Sequence, residues 1–226
     1  MNRVTVFAQD MKRRTFLKQV GGGITLFFSL GYPLVYAQRS DYPDDVNAYL
    51  RIHENGRISC FTGKIEMGQG IITSLAQMLA EELDVSVESI DMVMGDTLLC
   101  PYDGGTTGSR STKYFGPALR KAGAEAKHVL LELAADTLGV EKNRLSVKNG
   151  VVFVASHPSQ KIRYADLAKG RKLSRRIDAD ISTKPVSDHT ISGHSFRRTD
   201  ALAKVTGTAK FTGDIRLPGM LYAKVL

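Results

Sequence analysis

The stretch Gly63-Lys64-Ile65-Glu66-Met67-Gly68-Gln69-Gly70 runs directly into Ile71-Ile72-Thr73-Ser74-Leu75-Ala76-Gln77-Met78-Leu79-Ala80-Glu81-Glu82-Leu83-Asp84, and this glycine-rich loop before an amphipathic helix constrains the chain around it. Glycine lets a backbone approach a ligand closely, and the first helical turn offers N–H groups and a positive dipole end to an anion. That is a phosphate seat in outline. Gln69 adds an amide that donates and accepts at once, which suits the edge of a heterocycle. A turn that only caps a helix accounts for the same residues, so the rest of the sequence has to decide. In the helix, Ile71, Leu75, Met78, Leu79 and Leu83 recur at helical spacing and form the buried stripe, which leaves Glu81 and Glu82 on a solvated face.

The N-terminus reads differently. Lys12-Arg13-Arg14-Thr15-Phe16-Leu17-Lys18 is a basic region with adjacent arginines, followed by an apolar run from Val20 to Tyr36 and a small-residue exit at Val35-Tyr36-Ala37. It resembles a twin-arginine export signal with cleavage after Ala37, a route associated with proteins that fold around a cofactor before export. A membrane anchor is the competing reading, but Gly21 to Gly23, Pro33 and the short run argue against it, because spanning a bilayer takes about 17 to 25 residues. Periplasmic residence is expected, with membrane association as the alternative. Residues 38–226 hold 26 basic and 22 acidic residues, so the net charge of +8 falls to +4 once residues 1–37 are set aside. That is too mild, and too poor in interleaved aromatics, for a nucleic-acid partner. Cys60 and Cys100 stand far apart outside any CxxC, so this chain assembles neither a zinc site nor an iron–sulfur cluster. They leave one disulfide or two separate thiols as alternatives. The five histidines are scattered, and His189 and His194 fall in a polar stretch that predicts solvated loop residues.

From Ala48 the pattern predicts a hairpin of two strands, Ala48 to His53 and Arg57 to Thr62, around Glu54-Asn55-Gly56. The loop and its helix follow, then a strand at Ile90 to Met94. A second small-residue loop, Asp103-Gly104-Gly105-Thr106-Thr107-Gly108-Ser109-Arg110-Ser111-Thr112, also leads into a helix, from about Tyr114 to Leu138. Pro117 is tolerated near its start because that N–H lacks an intrahelical partner anyway. Leu145 to Val154 reads as a second hairpin around Asn149-Gly150, and Arg163 to Lys169 as a short helix. Residues 170–195 lose hydrophobic periodicity and predict a linker, and 196–226 regain strand character. The fold class expected is α+β, with two helices packed on a mostly antiparallel or mixed sheet.

Three blocks then carry a resemblance: Glu66-Met67-Gly68-Gln69-Gly70 with its helix, Thr107-Gly108-Ser109-Arg110-Ser111, and Arg198-Thr199-Asp200-Ala201-Leu202-Ala203-Lys204-Val205-Thr206-Gly207 continuing to Asp214-Ile215-Arg216-Leu217-Pro218-Gly219-Met220-Leu221-Tyr222-Ala223. They resemble the molybdopterin-binding large subunit of the xanthine dehydrogenase family, in particular the isoquinoline 1-oxidoreductase beta-subunit type. The resemblance implies a molybdopterin-binding α+β domain at 38–169 and, at 196–226, the truncated start of a hammerhead-like β domain. It implies cofactor contacts from Met67, Gly68, Gln69 and Gly70 to the pterin, and from Gly108, Ser109 and Ser111 to the molybdenum centre and phosphates. Arg110 has no equally firm counterpart.

The cofactor so implied is molybdopterin, in its cytosine dinucleotide form, with iron–sulfur clusters only on a small partner subunit. The reaction implied is hydroxylation of an aldehyde or N-heterocycle with water as oxygen source. The family's catalytic base and further contacts lie in polypeptide beyond the match, so the remainder of the large subunit is an implied partner and this chain alone is expected to be inactive. The loop order departs from xanthine dehydrogenase itself, where the Met-Gly-Gln loop follows the hammerhead domain. A periplasmic module for another phosphorylated ligand and a non-functional product of a truncated gene are the alternatives.

Overall fold

The computed structural model describes residues 23–28, 48–97, 99, 100, 103, 105–169, 172–177 and 181–225. Arg13-Arg14 and the exit at Ala37 lie outside them. The chain divides into two compact units, Met1–His194 and Ser195–Leu226.

The first unit is α+β. Its main sheet has five strands in the order β4-β3-β2-β1-β8, formed by β1 (Gly23–Phe28), β2 (Ala48–Ile52), β3 (Ile58–Thr62), β4 (Ile90–Met94) and β8 (Lys172–Ile177). β2 and β3 form the expected antiparallel hairpin. Its turn is closed by the His53 N–H donating to the Arg57 carbonyl (2.9 Å) and the Gly56 N–H to the His53 carbonyl (3.0 Å), with only Gly56 at positive φ. The strands on either side bring parallel pairings into the sheet: β4 runs parallel to β3, and β8 parallel to β1. Parallel neighbours cannot be joined by a tight turn, and the crossover from β3 to β4 is the helix α1 (Ile71–Leu83).

α1 buries Ile71, Leu75, Leu79 and Leu83 of its predicted stripe, with Met78 half-buried, and packs against α2 (Gly116–Leu138), which buries Leu119, Ala122, Ala126, Val129 and Leu130. Two glycines set how close the helices come. A Cβ on Gly116 would stand 2.7 Å from the Met78 sulfur, and one on Gly123 would stand 3.0 Å from the Glu82 Cβ. A second, antiparallel sheet follows in the order β5-β6-β7, from β5 (Leu145–Lys148), β6 (Val151–Val154) and β7 (His157–Arg163), with α3 (Tyr164–Ala168) after it. Asn149 and Gly150 both take positive φ at the β5–β6 turn, as an Asn-Gly hairpin requires.

Two expectations are corrected. Glu81 and Glu82 are not a solvated face; they are 0% and 2% exposed. Glu81 Oε2 accepts from the N–H groups of Thr190 (3.0 Å), Ile191 (2.7 Å) and Ser192 (2.9 Å), while Oε1 accepts from Lys184 Nζ (2.8 Å). Glu82 accepts from Arg120 Nε (2.7 Å) and the Lys184 N–H (3.0 Å). The polar stretch around 184–194 is thus the partner that covers these carboxylates. His189 belongs to the same cluster: Arg120 donates to its Nε2 at 2.8 Å. The strand character read over 196–226 is also not realised among the described residues. That unit holds the short helix α4 (Ala201–Val205) and turns, with Leu202, Val205, Leu217, Leu221 and Val225 exposed. A strand needs a neighbour for its N–H and C=O groups, and the described residues of this unit supply none.

Candidate cofactor-binding site

Parallel pairing decides where the two small-residue loops go. β3 and β4 point the same way, so the loop that leaves each strand emerges at the same edge of the sheet, outside the carboxyl ends of the strands. The loop after β3 is 63–70; the loop after β4 begins at Gly95 and ends in the approach to α2. Residues about 40 positions apart in sequence are thereby brought into contact.

The contact is a buried clasp. Lys64 Nζ donates to Asp103 Oδ1 (2.7 Å) and to the Gly105 carbonyl (2.9 Å), and both charged side chains are almost wholly buried. Its ammonium also lies 5.5 Å from the ring centre of Phe115, a cation–π contact with the turn that opens α2. Asp103 Oδ1 accepts as well from the Gly105 N–H (2.9 Å), and the Ile65 N–H donates to Thr106 Oγ1 (2.9 Å). The buried pair, with the Lys64–Gly105 and Ile65–Thr106 hydrogen bonds beside it, fastens the two loops to each other.

Inside the first loop, Glu66 does what an external anion was expected to do. Its Oε1 accepts from the N–H groups of Gly68 (2.8 Å) and Gly70 (2.9 Å), and its Oε2 from that of Ile72 (3.0 Å). The expected phosphate seat at the start of α1 is therefore filled by a carboxylate of the loop itself. Gln69 ties the loop across: its Oε1 accepts from the Met67 N–H (2.6 Å) and its Nε2 donates to the Ile65 carbonyl (2.9 Å). An amide has two donors and two lone pairs, so half of its capacity is left for a ligand. Met67 is pushed outward by this arrangement, 66% exposed, with Ile65 and Tyr114 also exposed.

The second loop is built for an unusual backbone. Gly108 and Ser109 take φ of +60° and +54°, and Ser109 is one of three non-glycine residues at positive φ among the described residues. Side chains rarely accept that region outside a local need. Next come five residues of π-helix, Ser111–Phe115, before α2 proper; such widened turns favour functional sites. Gly108, Ser109 and Arg110 are exposed, Ser111 is buried, and among the described residues no carboxylate pairs with Arg110.

One atom is left over. Asp103 Oδ2 is buried without a hydrogen-bond partner. An orphaned acceptor of this kind costs about 1 to 3 kcal/mol and fits a ligand that brings a donor. The predicted residues Met67, Gly68, Gln69, Gly70, Gly108, Ser109 and Ser111 thus stand on two loops fastened at one sheet edge, while Lys64, Asp103 and Thr106 do the fastening and Glu66 braces the first loop. Sequence reasoning passed over the fastening residues, although an Asp two residues before a glycine is an Asx-turn signal. Cys60 and Cys100 are free thiols, and no cluster of three His, Cys, Asp or Glu placed to hold a metal occurs among the described residues.

A β–α–β unit with clasped glycine loops beyond its strand ends defines a ligand-binding domain of the cofactor-cradling class. Comparison with known proteins gives the family: residues 6–209 match the molybdopterin cofactor-binding domain, and the chain belongs to that family. Its relatives are molybdenum subunits of the xanthine dehydrogenase family. It is 36% identical over 178 residues to a subunit of the nicotinate dehydrogenase of Pseudomonas putida, a match that covers 79% of this chain and 15% of the relative. It is 27% identical over 271 residues to the beta subunit of isoquinoline 1-oxidoreductase from Brevundimonas diminuta, a match that covers 95% of this chain and 33% of the relative. Among solved structures, CO dehydrogenase from Oligotropha carboxidovorans superposes with a TM-score of 0.50 at 26% identity, over 71% of this chain and 21% of that one. The chain therefore spans 15% and 33% of the lengths of these two curated relatives.

Proposed function

We propose that the chain is the cofactor-binding part of an exported molybdenum hydroxylase large subunit, acting with the remainder of that subunit and an iron–sulfur small subunit on an aldehyde or N-heterocycle. The observation that carries this reading is the Lys64–Asp103 clasp, which holds both family loops at one sheet edge in a molybdopterin-binding domain. When bound, molybdopterin supplies the oxygen-transfer and electron-accepting chemistry. The chain's own residues bind and orient.

The residues divide that task by charge. Glu66 keeps phosphate away from the first loop, because a second anion at the same N–H groups would face a carboxylate at contact distance. The first loop accordingly receives the neutral pterin, through the remaining donor and acceptor of Gln69 and the exposed Met67. Gly108, Ser109, Ser111 and Arg110 receive the phosphates, including those of a cytosine dinucleotide. Asp103 Oδ2 takes an N–H or amino donor of the heterocycle. None of these residues is a base placed for proton abstraction, and Glu66 is spent on three backbone N–H groups.

The test is molybdenum and extractable pterin per chain in the large subunit with Asp103→Asn or Gln69→Ala introduced, and with fold monitored by near-UV circular dichroism. Reduced occupancy in a folded variant supports the assignment. Full occupancy in both, or recovery of a different phosphorylated ligand from the native protein, overturns it.

A further inference from the structure

The segment read as an export signal supplies a strand. β1 lies inside the main sheet, antiparallel to β2 with Ile24, Thr25 and Leu26 opposite Ile52, Arg51 and Leu50, and parallel to β8 with the same residues opposite Leu173, Ser174 and Arg175. Ile24 and Leu26 are fully buried and Thr25 is 4% exposed, so both faces of the strand are covered. Gly23 sits where a Cβ would come within 2.6 Å of the Ile52 carbonyl oxygen. Among the described strands β8 has no other neighbour.

A leader cannot be an accessible export segment and an interior strand at once. We infer that the slot between β2 and β8 is a strand-acceptor surface, which the chain's own leader fills until an apolar strand from the remainder of the large subunit replaces it. The slot specifies its occupant: five or six residues without charge, apolar at the positions of Ile24 and Leu26, small and uncharged at the position of Thr25 opposite Arg51, with glycine at the end beside Ile52, running antiparallel to β2. A polypeptide several times longer than this chain, as the relatives are, has such a strand to give. Every backbone N–H and C=O on that side of β2 needs a partner whichever strand provides it. The inference rests on the export reading only for the leader's removal; the slot itself is tested in vitro.

The experiment inserts a site-specific protease sequence between residues 40 and 44 of the full chain, cuts the folded protein, and follows the N-terminal fragment and the β2 amides by gel filtration and hydrogen exchange. Cutting after folding avoids asking a shortened chain to fold. The fragment is expected to stay bound and keep Ala48–Ile52 protected, and a labelled peptide of residues 20–30 in excess is expected to exchange with it. The same peptide with Leu26→Lys should not. Coexpression with the downstream part of the large subunit should release the fragment and leave β2 protected. Loss of the fragment on cutting with unchanged β2 protection overturns the slot. A fragment that no peptide displaces makes β1 a fixed strand, and a dimer formed by exchange of β1 makes a second copy the occupant; either result overturns the inference. N-terminal sequencing of the periplasmic protein tests the export reading separately.

Discussion

At the scale of single residues, charge is used inside this domain where it cannot be screened. Replacing Asp103 by Asn removes the charge that neutralises the buried Lys64 ammonium, and is expected to destabilise the chain by about 3 kcal/mol, as breaking one side of a buried pair does. Lys64→Met on that background should recover part of the loss, since the uncompensated charge goes with it. Urea unfolding of both variants is the measurement. Glu81 gives the pH dependence. Burial alone would raise its carboxyl, but Lys184 and the N–H groups of Ser192 and Ile191 outweigh it and hold the group down from 4.5 to about 2. A carboxylate depressed in the folded state stabilises fully above the unfolded value and loses that contribution as the pH falls through the folded one. Stability is therefore expected to fall between about pH 4.5 and pH 2, and Glu81→Gln should flatten that part of the acid-unfolding curve.

At the scale of elements, helices and hairpins were legible and their assembly was not. The stripes of α1 and α2 have helical period, and the Asn-Gly turns carry their own backbone requirement, so local sequence names them. The parallel pairing of β3 with β4 has no local signature, and without it the two loops could be described only one at a time. The misreading of Glu81 and Glu82 has the same origin, because the stretch that covers them, from Lys184 to Ser192, lies more than 100 residues later along the chain. Helical periodicity assigns a face to solvent without knowing what returns to cover it. Of the site, glycines, Gln69 and the serines could be read from type and order; the clasp and the self-capping Glu66 could not. The helix contact itself is open to test. Gly123→Leu would drive a side chain into Leu79 and Glu82, and is expected to cost about 1 to 3 kcal/mol, measured as a fall in thermal midpoint. Glu66→Ala removes the acceptor from three N–H groups and should cost about 1 to 2 kcal/mol, seen as faster amide exchange at Gly68 to Ile72.

At the scale of the whole molecule, binding and chemistry are expected to separate. The isolated chain should show no dye reduction with aldehydes or N-heterocycles when supplied with cofactor, and turnover should require the downstream polypeptide and the iron–sulfur subunit, since Glu66 is spent on three backbone N–H groups and Asp103 on the Lys64 ammonium. Turnover by the chain alone would make Glu66 the first residue to replace. The helix α1 gives the domain a further property. Its C-terminal end is bolted down by Glu81, Glu82 and Asp84, the last of which accepts from Lys127, Lys184 and, through its carbonyl, the Gly150 N–H. At its N-terminal end the first turn is capped by the loop's own Glu66. Substitutions at the exposed Met67 can then change what the loop touches while the far end of the helix keeps the fold, so a lineage can retune its ligand without first acquiring compensating changes in the core.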